Sequence, residues 1–116
     1  MEQNIIEVKS FGFAIRIVNL YKSLCAEQKE YVMSKQLLRS GTSIGANVAE
    51  SQQAQSRPDF ISKLSIALKE TSEAKYWLRL LNATGYLRPQ DFDSVLADCI
   101  ELEKLLVSIV RTTKQK

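Results

Sequence analysis

A chain of 116 residues, 45% apolar and 25% charged, is one domain of ordinary size with enough apolar side chain for a core. Its formal charge of +3 is a mild basic bias, well short of a histone-like tail: 12 Lys/Arg stand against 8 Asp/Glu in residues 1–88, and 4 against 5 in residues 89–116. That balance permits an anionic partner without demanding one. The absence of histidine removes Ser-His-Asp and Cys-His catalysis, His-containing zinc sites and the Glu-x-x-His pairs of di-iron bundles.

Four helical segments are expected, at about 9–27, 31–55, 57–84 and 89–113 of a single domain spanning 1–116, and no strand pattern competes. The N-terminus, MEQNIIEVKS, is polar and acidic, unlike a signal peptide. No apolar run approaches the roughly 20 residues that span a bilayer, so a cytoplasmic protein with no membrane partner is expected. In the first helix Phe11, Ala14, Val18, Tyr21 and Cys25 share one stripe, and Phe13, Ile17, Leu20 and Leu24 make a second. A helix apolar on two faces is either central or shared with another subunit. Cys25 and Cys99 lie far apart in apolar patterns, which suits two reduced thiols better than a disulfide or a metal site.

The second segment contains LLRSGTSIGANVAES, residues 37–51, with its main stripe at Leu37, Gly41, Ile44 and Val48. Gly41, Gly45 and Ala49 recur every four residues as a ridge almost without side chains. Two helix-interior glycines cost about 2 kcal/mol of helix propensity, so close packing against a neighbour, or a ligand on the bare ridge, must offset them. Beside the ridge, Gln36, Ser40, Ser43, Asn47 and Glu50 share a polar face flanked by Lys35 and Arg39. Three readings of that face stand: solvated surface, an inter-subunit seam, or a functional pocket.

Ser56, Pro58 and Asp59 read as the start of the third helix. Its stripe of Phe60, Leu64, Ala67, Thr71, Ala74, Leu78 and Leu81 alternates steps of 4 and 3, and Gly85 suits its C-terminal cap. Arg88-Pro89 opens the fourth helix, with a stripe of Phe92, Val95, Cys99, Leu102, Leu106 and Ile109. Short connections between long helices predict an all-α, antiparallel, up-down-up-down four-helix bundle.

No Walker loop or GxGxxG motif occurs, and neither an enzyme, a cofactor nor a metal is expected. The carboxylate pairs Glu70/Glu73 and Glu101/Glu103 read as solvated surface, with Lys69 available to Glu73. The third helix carries Lys63, Lys75 and Arg79; Asp59 can offset Lys63, and no acid obviously offsets the 75/79 pair. A bound phosphate would relieve that like-charge repulsion; otherwise these are two solvated side chains. Tyr76 and Trp77 adjoin the pair as a stacking platform or, for Trp77, a core edge or subunit contact. Apolar residues off the main seams, among them Ile61, Ile66, Leu68 and Leu80, predict self-association.

The segment LLRSGTSIGANVAES, continuing through QQAQSRPDFISKLSIALKETSEAKYWLRLL, resembles the 23S ribosomal RNA intervening-sequence protein family over residues 37–81. Phe11 to Leu24 looks like that family's first helix, and the fourth helix matches in pattern. The resemblance implies a four-helix bundle assembled as a ring-shaped homopentamer, some members being encoded in insertions within bacterial 23S rRNA genes. It also implies a likeness to the accessory variability determinant of diversity-generating retroelements, a basic pentameric barrel that binds nucleic acid and a reverse transcriptase. No catalytic residue is carried over. Arg39, Ser40, Gly41, Ser43, Gly45, Asn47 and Glu50 match the family motif and are carried over as a packing or interface element.

Two functions follow as expectations. One is a non-enzymatic homo-oligomer that binds structured RNA or other nucleic acid through Lys35, Arg39, Lys63, Lys75 and Arg79, with a ring multiplying a weak patch. The other is an oligomeric scaffold or adaptor whose partner is a protein.

Overall fold

The computed structural model describes residues 4–115. It contains four helices and, among the described residues, no strand: α1 (Ile5–Gln28), α2 (Met33–Ser51), α3 (Arg57–Ala83) and α4 (Pro89–Lys114). Each helix packs on its neighbours in the chain, and α1 also meets α4. The body measures 46 × 24 × 20 Å, its length set by helices of up to about 40 Å at 1.5 Å per residue.

One core runs along the middle. It takes Ile6, Phe13, Ile17 and Leu24 from α1, and Leu37, Ile44 and Val48 from α2. From α3 come Leu64, Ala67, Ala74, Leu78 and Leu81, and from α4 Val95, Cys99, Leu102, Leu106 and Val110. The expected stripes of α3 and α4 are the buried ones, with Phe60 and Phe92 half-buried at their starts. At the end of α4 the core takes Val110, and Ile109 is only partly covered. An α-helix turns every 3.6 residues, so a strict 3.5-residue stripe drifts off the seam after a few turns.

Two boundaries differ from expectation. α1 begins at Ile5, ahead of residue 9, because Asn4 caps it: its Oδ1 accepts the Ile6 N–H at 3.0 Å. Ile6 and Ser10 then extend the buried face by more than a turn. α2 stops at Ser51, short of residue 55. Gln52 and Gln53 are exposed, so no burial propagates the helix, and the chain turns before Ser56 caps α3. Ser56 is accordingly extended, at φ −159° and ψ 165°, and its Oγ accepts the Asp59 N–H at 3.1 Å. The Asp59 carboxylate reaches back to the Gln55 N–H at 3.2 Å, one residue beyond the usual capping-box target.

α3 ends at Gly85, whose φ of 88° lets the Tyr86 N–H reach Leu81 O at 2.9 Å and its own N–H reach Asn82 O at 3.2 Å, the paired bonds of a Schellman motif. The α1–α2 connection has no glycine. Lys29 takes the left-handed conformation itself, at φ 56°. Glu30 follows it, folds under the start of α2 and is buried. Its carboxylate accepts the N–H groups of Val32, Met33 and Ser34 at 3.1, 3.0 and 2.6 Å. Burial pushes this carboxyl upward, but the three N–H bonds outweigh burial and hold it below the ordinary glutamate value of 4.5. Glu30 therefore caps α2, a role the linear pattern did not announce.

Candidate nucleic-acid interface

The glycine ridge of α2 lies against α1. A Cβ built on Gly41 would stand 2.8 and 2.9 Å from the γ-carbons of Ile17, which is itself wholly buried. A Cβ on Gly45 would stand 3.3 Å from the backbone oxygen of Ser10. Both glycines thus make room for a neighbouring helix, and the close-packing reading of the ridge holds within the chain. Ala49, at the end of the ridge, is exposed.

The polar face beside the ridge is self-satisfied. Ser40 is fully buried, and its Oγ donates to Gln36 O at 3.0 Å. Thr42 donates to Leu38 O at 2.7 Å, Ser43 to Arg39 O at 2.6 Å, and the Asn47 amide to Ser43 O at 2.9 Å. Each of the three hydroxyls bonds a carbonyl one turn back, so it can face an apolar surface without leaving its donor unpaired. Gln36 and Glu50 are exposed.

Three of the five basic candidates are engaged by acids. Arg39 sits over two carboxylates of α3, hydrogen-bonded to Glu73 and 3.7 Å from Glu70. Lys63 meets Glu50 at 3.5 Å, and Lys75 meets Glu103 of α4 at 2.9 Å. These partners correct the sequence reading in three places. Lys63 pairs across to α2 instead of with Asp59, Lys75 does have an acid, and Glu73 takes Arg39 as its hydrogen-bond partner. Each correction has one cause: charges far apart in sequence meet when helices pack. Glu70 and Glu73 are likewise not solvated surface. Glu70 is mostly covered, with its Oε1 buried and unbonded. The Arg39 hydrogen bond and then the Trp77 indole N–H, 3.2 Å away, hold Glu73 below the usual carboxylate range against the opposing effect of burial. Glu101, for its part, pairs with Lys9 at 3.1 Å.

Lys35 and Arg79 are exposed and, among the described residues, make no ion pair or side-chain hydrogen bond. Arg79 lies beside Tyr76 in a surface hollow of about 460 Å³ lined also by Leu80, Asn82, Ala83 and Phe92. Of the five basic candidates, Lys35 and Arg79 are thus the two whose charge no described acid offsets.

The outer face of α1 is the other conspicuous surface. Ile5, Val8, Phe11 and Ile15 are 48–68% exposed. Val8, Phe11 and Ala14 line a mostly apolar groove of about 590 Å³ whose far wall is Thr42, Gly45, Ala46 and Ala49. One face of α1, with Phe13, Ile17 and Leu24, enters the core. Of the other expected stripe only Phe11 is exposed, Ala14, Val18, Tyr21 and Cys25 being half-buried, and the face left uncovered by the described residues runs instead through Ile5, Val8, Phe11 and Ile15.

Neither cysteine is in a disulfide. Burial pushes the Cys99 thiol up to about 12, and its Sγ donates to Thr71 O at 3.5 Å, so it stays a protonated, inert core thiol. Among the described residues no cluster of three or more His, Cys, Asp or Glu is placed to hold a metal ion, and no helix is long and apolar enough to cross a membrane.

No curated protein matches the chain. A solved structure does: a protein of unknown function from the S23 ribosomal protein family of Bacteroides thetaiotaomicron VPI-5482, 60% identical, with a TM-score of 0.90 over 90% of this chain and 97% of that one. The profile of the 23S rRNA-intervening sequence proteins matches residues 2–108. With the four-helix fold and the RSGTSIGAN ridge in place, these matches show that the chain belongs to the 23S rRNA-intervening sequence protein family.

Proposed function

We propose that this chain acts without catalysis, as a homo-oligomeric, antiparallel up-down-up-down bundle that binds structured RNA in the bacterial cytoplasm. The contacts Cys25–Ser34, Ile17–Gly41 and Ser10–Gly45 run in opposite chain directions and support the antiparallel arrangement. The observation that carries the oligomer is the outer face of α1, where Ile5, Val8, Phe11 and Ile15 stay uncovered beside an apolar groove. A ring-shaped pentamer, the assembly expected from the family resemblance, would hide that face and multiply the +3 of each chain fivefold. Lys35 and Arg79, unpaired among the described residues, take the largest share of the phosphate contacts, with Arg39, Lys63 and Lys75 contributing less because acids already neutralise them.

A protein scaffold is the second reading, and the same ion pairs favour it: three of the five basic candidates are already satisfied. Fluorescence anisotropy against structured RNA and duplex DNA at several salt concentrations separates the two. The RNA reading expects binding that weakens steeply with salt, and a Lys35→Glu, Arg79→Glu variant that binds poorly. Absence of binding at low salt would favour the scaffold. A monomeric mass by light scattering at micromolar concentration would sink the oligomer and both readings with it.

A further inference from the structure

Resting on the RNA reading, we infer that the hollow around Tyr76 and Arg79 takes an unpaired nucleotide, with its base on the Tyr76 ring and its phosphate on the Arg79 guanidinium. Phosphate contacts alone would favour the duplex, whose charge density is the higher. An exposed aromatic ring beside an unpaired cation adds a preference for a base that is out of its stack.

Three observations converge here. Tyr76 is 55% exposed, on the outward side of a helix whose other side is core. Its ring meets the Trp77 ring in a T-shaped contact, with centroids 5.0 Å apart and planes at 78°. Trp77 is in turn pinned by its indole N–H on Glu73, which Arg39 holds from α2. The ring is thus pre-positioned, and stacking a base on it orders little that is not ordered already. Second, Arg79 follows one turn later on the same face and, among the described residues, has no acid partner, and no carboxylate lines the hollow. Third, the Asn82 amide lines the same hollow and, among the described residues, makes no side-chain hydrogen bond, leaving both donor and acceptor for a base edge. The hollow's volume of about 460 Å³ is in the range of sites that hold small ligands.

The test uses the full chain with two RNA probes, a single-stranded oligoadenylate carrying 2-aminopurine and a duplex RNA of the same length. Wild type should bind the single strand and quench the 2-aminopurine. Tyr76→Ala should weaken single-strand binding by about 5- to 150-fold, the range for losing one stacked base, abolish the quench, and leave duplex binding unchanged. Tyr76→Phe, which keeps the ring, should bind like wild type. If wild type binds both probes and Tyr76→Ala alters neither, or alters both equally, the nucleotide site is wrong while the RNA reading survives. If neither probe binds at low salt, both are wrong. A change in oligomeric mass in Tyr76→Ala would make Tyr76 a subunit contact and overturn the site.

Discussion

The α1–α2 seam is closed where two glycines bring α2 onto α1, and the α3–α4 seam by interleaved side chains. At the first, Gly41 leaves no room between α2 and Ile17, and Gly45 brings α2 against the Ser10 carbonyl. At the second, the stripes of Leu, Ala, Thr, Val and Cys fill the space, one thiol bonds Thr71 O across it, and Lys75 and Glu103 meet at its rim. Rotamers can absorb change where long side chains fill a gap; a glycine held against the wholly buried Ile17, or against the Ser10 carbonyl, leaves less slack. The RSGTSIGAN motif therefore sits at a close approach of two helices.

The largest expected effect breaks the first seam. Gly41→Leu should destabilise the chain by about 3 kcal/mol or more through overpacking on Ile17, well beyond the roughly 1 kcal/mol that a better helix former contributes. Combined with Ile17→Ala it should recover part of the loss, with a coupling of about 1 kcal/mol or more in urea melts. Strict additivity would show that Gly41 does not pack on Ile17.

A middle effect concerns the entry to that seam. Glu30→Ala should cost about 1–2 kcal/mol at neutral pH, the range for a lost helix cap. In the folded chain the Glu30 carboxyl lies below its ordinary 4.5, so it binds its proton less readily than in the unfolded chain. Its stabilisation is complete above that ordinary value and is lost as pH falls through the folded value. The gap between wild type and Glu30→Ala should therefore close in acid melts. A gap that is constant down through that range would remove the charged cap from the account.

The smallest effect sharpens the second seam. Lys75→Met should cost about 1 kcal/mol or less, because a half-exposed ion pair at a rim is partly screened and methionine keeps most of the apolar stem. A loss several times larger would mean that the α3–α4 seam depends on that pair rather than on its packed stripe.

The four helices, the stripes of α3 and α4, the Ser56 cap, the Gly85 stop and the glycine ridge were all legible along the chain, because each rests on neighbours within a turn or two. The engagement of Arg39, Lys63 and Lys75 was not. Their acids are 31, 13 and 28 residues away or more, and nothing in the local pattern brings them together. Glu30 was missed for a related reason: it stands outside the helix it caps, behind a left-handed lysine where glycine would have flagged the turn. A Ser or Asp in that place would have signalled the cap.

By itself, then, the sequence determined that this chain is helical, roughly where its four helices lie, which stripe α3 and most of α4 bury and that α2 carries a bare ridge, since these depend on periodicity and on residues with special backbone preferences. Only the tertiary structure decided what the ridge touches, which cations retain an uncompensated charge and which face of α1 is left open. Those depend on distances between segments remote in sequence, and such distances exist only once the helices have packed.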